Sequence, residues 1–297
     1  MARIHQMTVP QFERLFPSED ACIAYLVSHR WPDGVHCPRC GSARAFAMQT
    51  MAWKWQCYDC APNSGYRFSH LTGTIFENTN KPLMVWFKVI HLMLTSKKGI
   101  SALQVQRYMG FGSYKTAHYM CHRVRAGLAD ERFQRLMGVV EMDEAYIGGK
   151  NDNRHADKKD KSHGRGLKKD IVIGAVERKG NVVARVIQRV DSATIKSFVE
   201  EAISDKVSMI CTDEFPAYGP LKRKYFHRSV NHNKGQYVVG AVHTQTIEGF
   251  WSILKRGMVG TFHRASTKYL PLYVAEFEFR YNNRLNDDIF GAAIRAC

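Results

Sequence analysis

The sequence predicts an α/β protein whose larger, C-terminal part is a mixed sheet covered by helices, preceded by a small cysteine-bearing module and a helical region. Three observations predict it. From residue 138 onward three strand-like runs follow one another, "GVVEMDEAYIG", "DIVIGAVERKG" and "NVVARVIQRV", and then come a helical run, "DSATIKSFVEEAIS", and a short apolar run, "SMICTD". Between residues 31 and 76, two C-x-x-C pairs stand among Gly and aromatic residues. Between these two regions, residues 81–129 carry apolar positions at helical spacing. With 297 residues and 45% hydrophobic content, the chain can bury about two cores.

Taken in order, residues 1–30 form a helical lead-in with the apolar runs "VPQFERLF" and "EDACIAYLVSHRW", and Ser18 with Asp20 marks a helix start. Residues 31–76 read as a zinc ribbon. Cys37 with Cys40 and Cys57 with Cys60 each offer two thiolates from one tight turn, and the sixteen residues between the pairs suffice for a strand out and back. Gly41 stands where such a turn favours it, whereas "CYDCAP" has no such Gly. A redox C-x-x-C would not need two pairs at this spacing. Residues 81–129 give "KPLMVWFKVIHLML", "SALQVQRYMG", a turn at "FGS" and "YKTAHYMCHRVRAGL", the outline of a helix-turn-helix. Tyr114, Lys115, His118, His122, Arg123 and Arg125 would line its groove-facing side; the competing reading is an amphipathic helix with solvated basic residues. In the part from 138 to 297, Asp191 or Ser192 caps the helical run. The insert "KNDNRHADKKDKSHGRGLKK", residues 150–169, has eight Lys or Arg against three Asp and is expected to be a mobile loop.

A formal charge of +16 and a pI near 9.6 are not requirements of a fold; they call for a polyanion, a negative membrane face or an acidic partner, and nucleic acid leads. The N-terminus has no apolar core of signal-peptide length, and the run "PLMVWFKVIHLML" contains Lys88 and is too short to span a bilayer. A soluble, intracellular protein is expected.

The acids of the α/β part carry the chemistry. Asp143 lies inside an apolar strand and Asp213 ends another, where an uncompensated carboxylate costs several kcal/mol if buried. Such acids pair, bind metal or reach a cleft. Glu141 points to the same strand face as Asp143 and Glu144 to the opposite one. In "HTQTIEGFWSILKRG", Ile247, Phe250, Trp251, Leu254 and Met258 form one apolar stripe, and Glu248 and Lys255 share a shoulder beside it. Periodicity alone leaves those two evenly balanced between surface decoration and an active site. Three carboxylates suit two-metal phosphoryl transfer, with Mg²⁺ or Mn²⁺ on hard oxygen ligands and Lys255 on a DNA phosphate.

"VVEMDEAYIGGK", "ICTDEFPAY" and "HTQTIEGFWSILKRG" resemble the catalytic segments of the IS1595-group, ISXO2-like insertion-sequence transposases. The 34 residues between Asp213 and Glu248 also look like the spacing of DDE transposases. "FPSEDACIAYLVSHRWPDGVHCPRCGS" and "YRFSHLTGTIFENTNKPLMVWF" resemble the zinc-ribbon segment that precedes that domain. The resemblance implies a ribonuclease H-like domain over 138–297 in which Asp143, Asp213 and Glu248 carry two divalent metals, with Lys255 as the accompanying base. It implies one structural Zn²⁺ on the four cysteines, and a homo-oligomer on double-stranded DNA in a bacterial-type, nucleoid-associated setting. The reaction it implies is cleavage at the ends of a mobile element followed by attack of the freed 3′ hydroxyl on target DNA. Some members carry Asn or His at the third acidic position, so His243 and Gln245 stand beside Glu248 as candidate donors. Lys158, Lys159, Lys161, Arg165, Lys168 and Lys169 of the insert are then placed to touch DNA without reading its sequence. "RYNNRLNDD" resembles a C-terminal family segment and suggests a polar surface near DNA or a partner subunit. The rival functions are a DNA-binding regulator with an inactive catalytic domain and a nuclease without strand transfer.

Overall fold

The computed structural model describes residues 7–129, 133–148, 169–230 and 242–297. They divide into two units, Met1–Ala129 with Arg284–Cys297, and Asp130–Asn283. Among the described residues no helix is long and apolar enough to cross a membrane.

In the first unit, helix α1 (Val9–Leu15) starts with a capping box between Thr8 and Gln11, and α2 (Glu19–Arg30) starts with the Ser18 hydroxyl accepting from the Ala21 N–H. A three-stranded antiparallel sheet follows, β1 (Ala45–Ala47), β2 (Lys54–Cys57) and β3 (Tyr66–Ser69), in that order. Helix α3 (Leu83–Thr95) is apolar almost all round, as a helix buried on several sides must be. Its side chains offer no cap. Glu19 of α2 supplies one instead, accepting from the backbone N–H groups of Leu83 at 2.6 Å and Met84 at 2.9 Å. Helices α4 (Ala102–Met109) and α5 (Tyr114–Gly127) are capped by Ser101 and Ser113, and α4 ends on Gly110 in the left-handed conformation, φ 64°, which glycine adopts at no steric cost.

The second unit is built on a five-stranded sheet of β4 (Val139–Ile147), β5 (Asp170–Glu177), β6 (Val182–Ile187), β7 (Met209–Asp213) and β8 (His227–Val230). The order is β6-β5-β4-β7-β8, with β4, β5 and β6 antiparallel and β7 and β8 parallel to β4. Helix α6 (Ser192–Ala202), capped by Asp191, makes the crossover from β6 to β7. Strand β4 is central, so both its faces are covered. Val140 and Met142 pack with Ile195, Phe198 and Tyr218 on the α6 face. Ala145 and Ile147 pack on the other face with α7 (Gln245–Gly257) and α8 (Leu270–Asn282). A 3-10 helix, Pro216–Arg223, follows β7, and a π turn, Met258–Phe262, follows α7.

Helix α8 also covers the β6 edge. Asn282 accepts from the Val182 N–H at 2.7 Å and donates to its carbonyl at 3.0 Å, and Glu278 accepts from Ala184 N–H at 3.2 Å. Free strand N–H groups would otherwise invite a foreign strand. This gives Asn282 of "RYNNRLNDD" a structural role. The last helix, α9 (Ile289–Ala296), leaves the 138–297 span expected for one domain and joins the first unit. There Phe290 lies within 6.0 Å of the rings of Phe12, Phe16, Tyr25 and Phe87. An apolar stripe this short cannot bury itself, and the aromatic cluster takes it up.

Candidate active site and metal centre

The four cysteines come together first because the sheet folds them there. Cys37 and Cys40 precede β1, Cys57 ends β2, and Cys60 follows in the turn toward β3. Their sulfurs all lie within 4.8 Å of one another. Cys37 Sγ to Cys60 Sγ is 3.6 Å and Cys40 Sγ to Cys57 Sγ is 3.7 Å. A zinc–sulfur bond of about 2.3 Å makes a tetrahedron with edges of about 3.8 Å, so this spacing fits one Zn²⁺ and none of the eight thiols is in a disulfide. Burial raises the Cys37 thiol, but the Cys40 and Arg39 N–H groups together with the Cys60 and Cys40 thiols outweigh it and hold it down to about 7. Its neighbour Cys60, hydrogen-bonded by Cys40, is pushed up to about 12.

The acid cluster is assembled by topology. Strand alternation puts Glu141 and Asp143 on the α7 face of β4 and Glu144 on the α6 face, where it accepts from Tyr218 Oη at 2.7 Å. Asp143 is half-buried, and its Oδ2 accepts from Trp251 Nε1 of α7 at 3.1 Å. That reach depends on Gly174, the β5 partner of Asp143. A Cβ there would stand 2.7 Å from Trp251 Cη2 and 3.3 Å from Ile247 Cδ1, so only a glycine lets the indole lie across the sheet. Asp213 sits at the C-terminal end of β7, with Oδ1 accepting from the Phe215 N–H at 3.0 Å. Glu248 stands exposed in the first turn of α7 and accepts from Thr244 Oγ1 at 3.0 Å.

Burial pushes the Asp143 carboxyl up to about 7, and the negative charges of Glu144, Asp213 and Glu248 add to it. Asp213 and Glu248 are therefore near enough to act on Asp143, although among the described residues only the cysteines converge within 4.8 Å. Two aspartates and a glutamate, whose carboxylate oxygens are hard acceptors, are a donor set that fits a hard divalent cation such as Mg²⁺ or Mn²⁺. Lys255 is exposed two turns along α7. The candidate donor His243 is turned elsewhere, with Nδ1 3.1 Å from Glu141 Oε1, and Gln245 is exposed.

Two side chains that read as bystanders in the sequence are structural parts of this site. Trp251 belongs to the apolar stripe and is 3% exposed, yet its one polar atom holds Asp143. Glu141 is wholly buried and pairs with Arg178, Nε to Oε1 2.7 Å. The signal was there in "VVEMD": a carboxylate flanked by Val and Met in a central strand needs a buried partner.

The basic residues separate. Lys115 is exposed at the start of α5, beside Tyr114 and Tyr119, 48% and 54% exposed. Arg123 instead donates to the carbonyls of Thr74 and Glu77 and to Tyr119 Oη, tying α5 to the chain after β3. Arg125 corrects the expectation of a groove contact: it is 1% exposed, on the inward side of α5 with Cys121 and Val124. It falls one turn beyond Cys121, on the buried stripe that Ala117 begins. His122 is buried likewise. Lys169 is half-buried just before β5, and Lys158, Lys159, Lys161, Arg165 and Lys168 lie outside the described residues.

A central strand bearing one acid, a parallel neighbour ending in a second and a covering helix bearing a third, in a sheet of this order, define the ribonuclease H-like class of DDE domains. Residues 135–282 match the ISXO2-like transposase domain and residues 17–63 the transposase zinc-ribbon domain. The chain belongs to the ISXO2-like, IS1595-group transposases that carry an N-terminal zinc ribbon. It is 28% identical over 288 residues to an uncharacterized protein in transposable element ISH50 of Halobacterium salinarum, covering 90% of this chain and 92% of that one. A chain of a simian T-cell lymphotropic virus intasome is similar over 63% of this chain and 69% of its own at 17% identity, with a TM-score of 0.33, too distant to carry an argument.

Proposed function

We propose that this transposase binds the ends of its insertion sequence, cleaves phosphodiester bonds there and joins the freed 3′ ends to target DNA. The observation that carries this reading is the Asp143 carboxyl, which burial raises and to which the charges of Glu144, of Asp213 on β7 and of Glu248 on α7 add. Asp143, Asp213 and Glu248 would hold two divalent cations. When bound, the cations supply activation of the attacking hydroxyl and stabilisation of the leaving oxygen. The protein's own groups set the rest. Trp251 fixes one oxygen of Asp143. Thr244 directs Glu248, and Lys255 offers an ammonium to a phosphate on the same helix face. Burial of Asp143 keeps its charge under-solvated, so a cation gains more there than at an exposed acid.

The four cysteines would hold one structural Zn²⁺, and Lys115 with its flanking tyrosines would meet the DNA backbone. Lys158, Lys159, Lys168 and Lys169 would add sequence-independent phosphate contacts, and the protein would act as a homo-oligomer on DNA.

Incubation of the purified protein with element-end DNA and Mg²⁺ or Mn²⁺ tests this. The wild type should cut and join; Asp143→Asn and Asp213→Asn should bind the DNA and cut nothing. Undiminished cutting in either variant would overturn the assignment. Cutting without joining would identify a nuclease.

A further inference from the structure

Helix α7 starts without a cap from its own chain end. The Thr244 side chain makes no capping bond, and its hydroxyl goes to Glu248. The first-turn N–H groups go to the sheet: Thr246 and Ile247 donate to Glu141 Oε2 at 2.7 Å and 3.2 Å, and Thr246 Oγ1 donates to Oε1 at 2.9 Å. Arg178 of the β5–β6 turn donates to the same carboxylate at 2.7 Å and to the carbonyl of His243, the residue leading into α7, at 3.2 Å. Its own N–H donates to Val139 at the start of β4.

A serine at position 244 could cap the helix without burying a charge. The chain instead uses a wholly buried glutamate and an arginine, an arrangement that gains little stability over an apolar pair but fixes register. The register in question is specific. Glu141 is two residues from Asp143 on the same face of one strand, about 7 Å along it. Trp251 ties the helix to Asp143 itself, one turn beyond Ile247. Two anchors on successive turns stop α7 from sliding or rotating, and Glu248 lies between them.

We infer that Glu141 and Arg178 are positioning residues for the acid site: by clamping the first turn of α7 to β4 they set where Glu248 stands relative to Asp143. This rests on the reading of Asp143, Asp213 and Glu248 as the cation-holding set. Groups that orient metal ligands without touching the metal change affinity by about 10- to 100-fold when removed.

The test is the double variant Glu141→Met with Arg178→Met, which leaves no unpaired buried charge and takes the acceptor away from the Thr246 and Ile247 N–H groups. Its melting temperature should fall, because these N–H groups lose their acceptor, while the chain still folds. Hydrogen exchange at the Thr246 and Ile247 amides should quicken at least about tenfold while α8 is unchanged. Mn²⁺ binding, followed by the electron-spin resonance of the free ion, should weaken about tenfold, and the Mn²⁺ concentration for half-maximal cleavage should rise by the same factor with the limiting rate kept. Wild-type Mn²⁺ binding and half-saturation in the folded double variant would overturn the inference. If that variant does not fold, Thr246→Val decides: it drops one bond of the clamp and should shift Mn²⁺ binding about threefold, and no shift would be the overturning result. Asp143→Asn separates the two readings. Cleavage retained there sinks the acid set; cleavage lost there with an unshifted double variant sinks only the clamp.

Discussion

The cysteine cluster and the acid cluster gather like groups in opposite ways. The cysteines lie within one run of 24 residues, in turns next to three short strands, and their sulfurs stand at tetrahedral spacing. The acids come from two strands and a helix, and they meet only as charges that raise the Asp143 carboxyl. A structural metal needs a closed, complete ligand set, whereas a cation that works on a substrate needs open positions and adjustable ligands. The support differs in the same sense. Backbone N–H groups hold the Cys37 thiol, while long-range side chains, Trp251 and Glu141 with Arg178, hold the acid site.

The largest effect that breaks this comparison is loss of the cysteines. Metal analysis of the wild type should find one Zn²⁺ per chain, and Cys37→Ser with Cys40→Ser should abolish it and unfold β1–β3, since zinc binding of about 10–16 kcal/mol is folding energy in such modules. Zinc retained in that variant would refute the ribbon. A smaller effect is expected at Gly174→Ala, whose methyl collides with the indole of Trp251. Overpacking there should cost about 1–3 kcal/mol in urea denaturation and shift the tryptophan fluorescence; an unchanged midpoint would show that the indole does not need the gap.

The smallest effect concerns pH. The Asp143 carboxyl titrates near 7 in the folded protein and near its ordinary value of about 3.9 when unfolded. The folded state therefore binds more protons between those values, so Asp143 destabilises the metal-free protein increasingly as pH rises from about 4 to 7. Asp143→Asn should raise the melting temperature of the metal-free protein by several degrees at pH 8 and by almost nothing at pH 4. A shift that does not depend on pH would show that the carboxyl is not raised.

Much of this was legible in the residues. Ser18 and Asp191 mark helix starts because their side chains accept from N–H groups two or three residues away. The strand runs around "VVEMDEAY", "DIVIGAVE" and "VVARVI" announce themselves through continuous apolar character, as strands buried on both faces do. The stripe Ile247, Phe250, Trp251, Leu254 and Met258 is buried as its spacing requires. Arg125 was misread because a basic residue on a short helix invites a functional role, while its spacing from Cys121 places it inward.

The sequence by itself determined the elements, the cysteine knuckles and the face on which each strand acid lies. All three depend on periods of two to four residues or on loops of a few residues, which local geometry fixes. Only the tertiary structure decided that Glu141 caps α7, that Trp251 holds Asp143 across Gly174, and that α9 joins the N-terminal unit. Those contacts join residues far apart in the chain, and no local period encodes which buried polar group will meet which.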